Sequence, residues 1–136
     1  MRTQQSFKDH TNKLLPLEGG KNLINSFDEC LLPIASHDSN GLFNYLNKAA
    51  LSLFKVTPDQ VIGKSTKMTA PDSEQKERNA LLNQVNSCGF IDNYKGIRVA
   101  SDGTLFEIQN ATIWNVLARD EGLVGQAVII YKYRML

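Results

Sequence analysis

Three alternating apolar runs, joined by two turn signals, fill most of the second half of the chain. The runs cover residues 90–100, 104–116 and 123–131, with turns at Ser101-Asp102-Gly103 and Arg119-Asp120-Glu121-Gly122. An Asp-Gly pair between alternating runs favours a hairpin with a type I′ turn, which needs positive φ at both central residues. The pattern therefore predicts three antiparallel strands that follow one another along the chain.

The first half of the chain combines helical spacing with two short apolar runs. An apolar stripe on one helical face predicts a helix over residues 21–31. The stripe consists of Leu23, Ile24, Phe27 and Leu31. Short strands are predicted over residues 32–36 and 42–46, on either side of an Asn-Gly turn. We expect residues 1–20, which are mostly polar, to form a flexible arm and residues 21–134 to form one domain.

Start and stop signals between residues 47 and 89 predict several helices. Asn47 can cap the first. Thr57-Pro58-Asp59-Gln60 is the start signal of a second, short helix, with Thr57 at the cap, Pro58 at the first helical position and Gln60 three residues on. A longer helix is predicted to begin at Asp72 or Ser73 and to end before Gly89. Its expected buried stripe is Leu81, Leu82, Val85 and Cys88. These elements predict an α+β fold, in which a five-stranded antiparallel sheet carries short helices on one face and an N-terminal helix.

Charge and hydropathy exclude several classes of protein. The 136 residues include 15 basic and 14 acidic ones, for a net charge of +1, so the charge balance does not favour nucleic acid or an anionic membrane. The chain has no apolar run of about 18 residues, and residues 1–6 lack the apolar stretch of a secretory signal. We therefore expect a cytoplasmic protein with no nucleic-acid or membrane partner. Cys30 and Cys88 are expected to be buried thiols, with a disulfide or a reactive thiol as the alternative.

Three segments resemble the MEKHLA family of PAS-like domains. They are FNYLNKAALSLF at residues 43–54, GFIDNYKGIRV at residues 89–99 and FEIQNATIWN at residues 106–115. The resemblance covers nearly the whole chain but departs at Val56-Thr57-Pro58, where an aromatic residue is frequent, and at Pro71, where an acidic residue is common. The family occurs alone in bacteria and algae, and at the end of class III homeodomain-leucine zipper factors in plants. This chain has neither a homeodomain nor heptads, so the DNA-binding role does not carry over, and we expect a bacterial protein.

The PAS-like resemblance implies a small cavity between the sheet and the helices. Strict alternation from Thr104 places Asn110 and Thr112 on the face that carries Phe106, Ile108 and Trp114. We interpret the two polar residues as ligand anchors and the apolar ones as cavity walls, while the alternative is that they bond to neighbours or water in a filled core. The complete set of candidate pocket residues is Phe106, Ile108, Asn110, Thr112, Trp114, Tyr94, Asp92, Leu81 and Val85.

Several polar residues near this face have two interpretations. Asp92 either pairs with Arg98 or another cation beside the cavity, or it forms a bulge or a strand-start cap on a solvated edge. Arg98, between Ile97 and Val99, is predicted to face solvent, with a carboxylate ligand or partner as the alternative. Gln126 matches the strand glutamine of flavin-binding PAS domains only weakly, because its register could place it outside.

The opposite sheet face is the candidate surface for a homodimer or a separate signalling protein. Alternation places Ala111, Ile113, Val128 and Ile130 there. With Leu23, Ile24 and Phe27 of the predicted N-terminal helix, these residues form the expected contact surface.

Cofactor and catalytic signals are sparse. Residues 65–73 contain no cysteine for a covalent flavin adduct, and residues 73–88 contain no axial histidine for haem. His10 and His37 are isolated, so no metal site is expected. His37-Asp38 beside Ser36 or Ser39 lies within one turn, a poor geometry for nucleophilic catalysis. We predict a non-catalytic domain, and a non-covalent flavin or a small organic ligand remains open as its cofactor.

The function predicted from the sequence is therefore that of a PAS-like sensory domain. It would bind a small molecule between sheet and helices and transmit its state through protein contacts. The alternatives are a ligand-free dimerisation module and, third, a small enzyme. Native mass spectrometry separates the first two, because a retained metabolite indicates sensing.

Overall fold

A single antiparallel sheet forms the body of the protein. The computed structural model describes residues 27–118 and 122–136. The strands are β1 (Ile34–Asp38), β2 (Phe43–Leu46), β3 (Phe90–Ile91), β4 (Gly96–Val99), β5 (Leu105–Ala118) and β6 (Gly122–Met135). Their order is β2-β1-β6-β5, and β3 and β4 both pair with β5. The predicted α+β class with an antiparallel sheet is confirmed. The sixth strand arises because the run predicted at residues 90–100 is interrupted near Asn93, whose φ is 55°.

Short helices cover one side of this sheet. They are α1 (Lys48–Phe54), α2 (Pro58–Val61) and α3 (Gln75–Cys88), with 3-10 helices at Thr66–Thr69 and Asp72–Glu74. The predicted caps act as expected: Asn47 accepts a hydrogen bond from the Ala50 N–H (2.9 Å), and Gln60 Oε1 accepts one from the Thr57 N–H (3.0 Å). Gly89 stops α3 with φ of 93°. Cys88 is exposed and Cys30 half-buried, so burial of Cys88 was predicted wrongly. None of the helices in the described ranges has the length and apolar character that a membrane crossing requires.

The β4–β5 turn differs from the predicted type. Only Gly103 has positive φ (87°), whereas a type I′ turn would also need it at Asp102. Instead the Gly103 N–H donates to the Ala100 carbonyl oxygen (3.0 Å), and Asp102 Oδ1 accepts from the Thr104 N–H (2.9 Å). This pattern fits the common three-residue hairpin loop, a tight turn followed by a left-handed glycine.

A local irregularity in β5 decides which side chains face the helices. Ile108 lies opposite Tyr133, but Asn110 lies opposite Lys132 and Ala111 opposite Ile130. The extra residue at position 109 is a β-bulge, which reverses the alternation for the rest of the strand. Before the bulge, Phe106 and Ile108 face the helices. After it, the inner residues are Ala111 and Ile113 and the outer ones are Thr112, Trp114 and Val116.

The sheet is covered on both faces, so it carries two apolar clusters. The inner cluster, between sheet and helices, includes Phe54, Val85, Phe106 and Ile113. The outer cluster consists of Phe27, Ile34, Trp114, Val116, Ala127 and Ile129. Trp114 is fully buried and Phe27 is 1% exposed. Burying one such side chain stabilises the fold by about 2–3 kcal/mol, so Phe27 itself is held firmly on the outer face.

Part of the predicted N-terminal region can be compared with the structure. Residues 27–29 are helical, within the helix predicted over residues 21–31. Leu31 lies beyond the helical residues and is 90% exposed, so the helix ends earlier than predicted. Leu23, Ile24 and the arm at residues 1–20 lie outside the described residues.

Candidate functional site

A cavity of about 90 Å³ lies between the inner face of the sheet and the helices. Its walls combine apolar side chains with an unusual number of polar ones. The residues around it are Ala35, Ser36, His37, Phe43, Thr66, Thr69, Arg78, Leu81, Leu82, Tyr94, Arg98, Ile108, Ile113, Gln126, Ala127, Val128 and Ile130.

The pocket residues predicted from the sequence are only partly brought together here. Leu81, Tyr94 and Ile108 line the cavity. Phe106 and Val85 are fully buried in the inner cluster beside it. The cavity therefore lies on the predicted side of the sheet, between strand β5 and helix α3.

The remaining predicted pocket residues lie elsewhere. Trp114 and Thr112 are fully buried on the outer face, and Thr112 Oγ1 donates a hydrogen bond to Asp92 Oδ1. Asn110 is half-buried at the bulge. The predicted placement of Thr112 and Trp114 in the cavity was wrong, because the bulge at position 109 shifts the alternation by one residue. The buried Thr112 hydroxyl is satisfied by Asp92 rather than by a group in the cavity.

The same shift moves the predicted contact surface into the interior. Ile113, Val128 and Ile130 line the cavity, and Ala111 is fully buried in the inner cluster. Phe27 is buried in the outer cluster. The prediction that these side chains present a free outer surface was therefore wrong.

Arg98 on β4 points into the cavity instead of into solvent, with 7% of its surface exposed. It lies opposite Phe106, on the inner face of the sheet, which explains why the predicted solvent position was wrong. Its Nη2 donates to the Tyr94 hydroxyl (2.9 Å) and its Nη1 to the Ile97 carbonyl oxygen (2.7 Å). The guanidinium carbon is 5.6 Å from the centre of the Tyr94 ring, within cation–π range. Arg98 is thus paired with Tyr94, not with Asp92 as one interpretation proposed.

Tyr94 connects Arg98 to the carboxylate of Glu77. Its hydroxyl donates to Glu77 Oε1 (2.9 Å), while Arg98 Nη1 is 3.8 Å from Glu77 Oε2. The Glu77 side chain is 43% exposed, so this direct ion pair is weak. Burial is the main cause that raises the pKa of Tyr94 to about 12. The hydroxyl therefore keeps its proton and can accept from Arg98 while it donates to Glu77.

Arg78 on α3 is a second guanidinium at the cavity, 6% exposed. Its Nη2 donates to Thr66 Oγ1 and its Nη1 to Asn79 Oδ1 (3.5 Å). Among the described residues, no carboxylate lies within 4.0 Å of this guanidinium. Burial and then the positive charge of Arg98 lower the pKa of Arg78, although an arginine stays charged at neutral pH. Arg78 is thus a buried positive charge whose hydrogen-bond partners here are neutral oxygen atoms.

His37 and Gln126 form the polar part of the sheet wall. They lie opposite one another on β1 and β6. Gln126 Nε2 donates to the Leu82 carbonyl oxygen (3.2 Å) and to Asn115 Oδ1 (3.2 Å), so Gln126 faces inward. His37 Nδ1 is 2.8 Å from the Asp38 carbonyl oxygen; since a carbonyl only accepts, this contact assigns the ring proton to Nδ1. Nε2 then presents a buried lone pair, and no side chain in the described part of the chain donates to it within hydrogen-bonding geometry.

The burial of His37 makes the stability of the protein depend on pH. Burial is the main cause that lowers the pKa of His37, with the Arg78 charge adding to it and the Asp38 carbonyl and Gln126 opposing it. The folded state therefore binds the proton less readily than the unfolded state, and stability falls as the pH drops below about 6.5. Between pH 7.5 and pH 5.5, we expect the free energy of unfolding to fall less in His37→Gln than in the native chain. The difference between the two losses should be at most about 1.4 kcal/mol. Urea unfolding of both chains at the two pH values measures this, and parallel losses would contradict it.

The hydroxyl and carboxylate neighbours of His37 are used in the fold. Ser36 Oγ donates to Asn44 Oδ1 (2.6 Å) in an exposed hydrogen bond between β1 and β2. Asp38 Oδ1 accepts from the N–H groups of Asn40 (2.8 Å) and Leu42 (3.0 Å) in the β1–β2 turn. The described ranges contain no group of three or more His, Cys, Asp or Glu side chains that could hold a metal ion.

Comparisons with known proteins identify both the family and the fold. The MEKHLA domain family matches residues 2–135. None of the curated proteins is significantly similar to the chain. A PAS domain of a protein from Colwellia psychrerythraea superposes with a TM-score of 0.72 at 18% identity, over 84% of this chain and 93% of that one.

Two further solved structures contain small molecules. One is the PAS domain, in complex with ethanol, of a transcriptional regulator in the LuxR family from Burkholderia thailandensis (TM-score 0.65, 17% identity, 85% of this chain and 98% of that one). The other is the PAS-B domain of Cycle from Drosophila melanogaster with bound ethylene glycol (TM-score 0.60, 10% identity, 76% of this chain and 99% of that one). With the family match over nearly its full length, the chain belongs to the MEKHLA domain family and has the fold of a PAS domain.

Proposed function

We propose that this protein is a sensory domain that holds a small organic molecule in the cavity between sheet and helices. The observation that carries the proposal is the composition of the cavity wall. Apolar side chains such as Leu81 and Ile113 alternate there with Arg78, Arg98 and His37. Ligand sites combine apolar walls with a few convergent polar groups, whereas a purely structural core seldom contains two arginines.

The size of the cavity limits the ligand. A cavity of about 150 Å³ holds benzene, with its six heavy atoms. In proportion, 90 Å³ accommodates a molecule of about four heavy atoms. This favours the small organic ligand over the non-covalent flavin, because a three-ring flavin would require the helices to move away from the sheet.

Small guests are known in proteins of this fold. The regulator domain from Burkholderia thailandensis carries ethanol, and the Cycle PAS-B domain carries ethylene glycol. Both molecules are close to the size that the cavity allows. By analogy with these structures, we propose that this chain also holds a small guest, in its own cavity between sheet and helices.

A path for transmission runs from the cavity to the outer face through β1. Ala35 and His37 face the cavity, while Ile34 on the same strand belongs to the outer cluster with Phe27. The Asn47 side chain accepts a hydrogen bond from the Ile34 N–H (3.0 Å) and donates one to the Phe27 carbonyl oxygen (2.8 Å). We propose that a guest beside His37 shifts β1 and so alters the segment around residue 27, where a partner protein or a second copy would detect the change. We also propose that the protein is located in the cytoplasm.

The ligand-free dimerisation module is the weaker candidate. The apolar side chains expected to pair with a second copy are used inside the fold, since Ile113, Val128 and Ile130 line the cavity and Phe27 is buried. This placement favours binding in the cavity over pairing through that set of side chains.

Filling the cavity provides the experiment. In Ala35→Leu, three added carbon atoms enter the space between β1 and α3, so we expect a mass retained by the native chain in native mass spectrometry to be lost. The fold should change in stability by less than about 1.5 kcal/mol, because the side chain occupies existing space. Ala80→Leu makes the same chemical change at an exposed position of α3 and should retain the guest. A native chain with no retained mass and no thermal shift with small alcohols or acids would refute the proposal.

A further inference from the structure

We infer that the guest of this cavity is an organic anion, specifically a short-chain carboxylate held between Arg78 and Arg98. This inference rests on the proposed ligand-binding function and names its chemical class. Both arginines are more than nine-tenths buried and line the same 90 Å³ cavity. Their charges are close enough that the Arg98 guanidinium disfavours the protonated form of Arg78.

The charges at this site do not balance within the described part of the chain. Two buried guanidinium groups face the cavity, and the carboxylate near them is that of Glu77, which is 43% exposed and 3.8 Å from Arg98. An unpaired buried charge is among the most destabilising features a protein can contain. A bound carboxylate would supply the missing negative charge where Arg78, among residues 27–118 and 122–136, donates to the Thr66 hydroxyl and the Asn79 amide oxygen.

The hydrogen-bond donors match a carboxylate in kind. A guanidinium presents planar, paired N–H groups that fit the two oxygens of a carboxylate. Arg98 is fixed by Tyr94 and the Ile97 carbonyl oxygen, and Arg78 by Thr66, so the donors need little reorganisation on binding.

The apolar residues of the cavity wall indicate the chemistry of the rest of the ligand. Ile108, Ile113, Val128 and Ile130 offer an apolar surface for a short alkyl tail, which inorganic phosphate lacks. The cavity volume permits about four heavy atoms, as in acetate, and one more if the wall relaxes slightly. Acetate and propionate are therefore the first candidates.

Isothermal titration of the full chain with propionate and with propionamide tests the inference at constant ionic strength. The two probes have the same shape and differ in charge. We expect propionate to bind at least about tenfold more tightly, because charge-assisted hydrogen bonds are roughly twice as strong as neutral ones. Arg78→Met and Arg98→Met should each weaken propionate binding by about tenfold or more. Arg134→Met removes an exposed arginine that pairs with Glu107 on the surface and should leave the affinity within about twofold.

The thermal stability of the ligand-free variants adds an independent measurement. Arg78→Met should melt at the same temperature as the native chain or higher, because it removes an uncompensated buried charge, yet it should lose the shift that propionate causes. A purely structural arginine would instead lower the melting temperature when replaced.

The possible failures are distinguishable. Equal binding of propionamide and propionate, tighter binding of inorganic phosphate, or unchanged propionate affinity in both arginine variants would overturn the carboxylate inference while ligand binding stands. If no probe binds and native mass spectrometry finds no retained mass, the proposed function itself fails.

Discussion

Replacing Asn47 with alanine is expected to lower the free energy of unfolding by about 4 kcal/mol. The side chain is fully buried and joins three parts of the fold. Its Oδ1 accepts from the N–H groups of Ile34 (3.0 Å) and Ala50 (2.9 Å), and its Nδ2 donates to the carbonyl oxygens of Phe27 (2.8 Å) and Leu32 (2.9 Å). Each buried group left without a partner costs about 1–3 kcal/mol, so the loss should exceed the roughly 1 kcal/mol of an ordinary helix cap. Urea unfolding measures it.

Two further variants separate the roles of this side chain. Asn47→Asp keeps an oxygen that can cap α1 but loses the N–H donors, so it should remain clearly destabilised if the bonds to Phe27 and Leu32 matter. Asn44→Ala removes an exposed asparagine that accepts one hydrogen bond from Ser36 and should cost about 0.5 kcal/mol. A loss at Asn47→Ala no greater than that of a simple cap would show that the four-bond arrangement contributes little.

The features that could be predicted from the sequence are those with local causes. Asn47 and Gln60 cap helices through atoms within three residues of themselves, and Gly89 stops α3 through its own backbone freedom. Such signals are visible in a few neighbouring letters. The order of elements that they define was enough to predict the α+β class and the PAS-like fold.

The face reversal in β5 could not be predicted in this way. Strand β5 is buried on both faces, by the helices on the inner face and by the outer cluster on the other. The inward residues Ala111 and Ile113 are therefore as apolar in the sequence as the outward Trp114 and Val116. Alternation reveals orientation only when one face is polar. The sequence around Gln109 contains no signal for the bulge. A single extra residue there moves the predicted cavity-wall residues beyond it to the outer face of the sheet.

The two arginines and the histidine of the cavity were absent from the predicted set of pocket residues for a different reason. Arg78 precedes Leu81 by three residues and Val85 by seven, so it falls on the buried stripe of α3. This helical spacing was a visible signal that Arg78 is buried. Arginine is usually assigned to the surface because burial of its charge is costly. Arg98 and His37 likewise occupy inward positions of their strands. Local rules are broken most often at functional sites, and these departures coincide with the cavity.

Replacing Gly125 with alanine is expected to destabilise the protein by about 3 kcal/mol and to weaken any binding in the cavity. Gly125 faces Asp38 across the β1–β6 pair. A methyl group there would overlap the carbonyl oxygen of His37 and lie 3.1 Å from its carbonyl carbon. Since these are backbone atoms in a paired strand, they cannot rotate away, and β1 must shift. The displacement would carry the His37 ring with it and so change the polar part of the cavity wall.

A matched glycine separates this steric effect from backbone strain. Gly103 has φ of 87° and open space around it, so Gly103→Ala should cost only the roughly 1–2 kcal/mol of a left-handed alanine and leave propionate affinity unchanged. Gly125 is not among the positive-φ glycines, so alanine there meets only the clash with β1. Urea unfolding and propionate titration of both variants give the comparison. If Gly125→Ala lost stability but bound propionate normally, β1 would not position His37 for the ligand, and the path from the cavity through β1 to Phe27 would have to be abandoned.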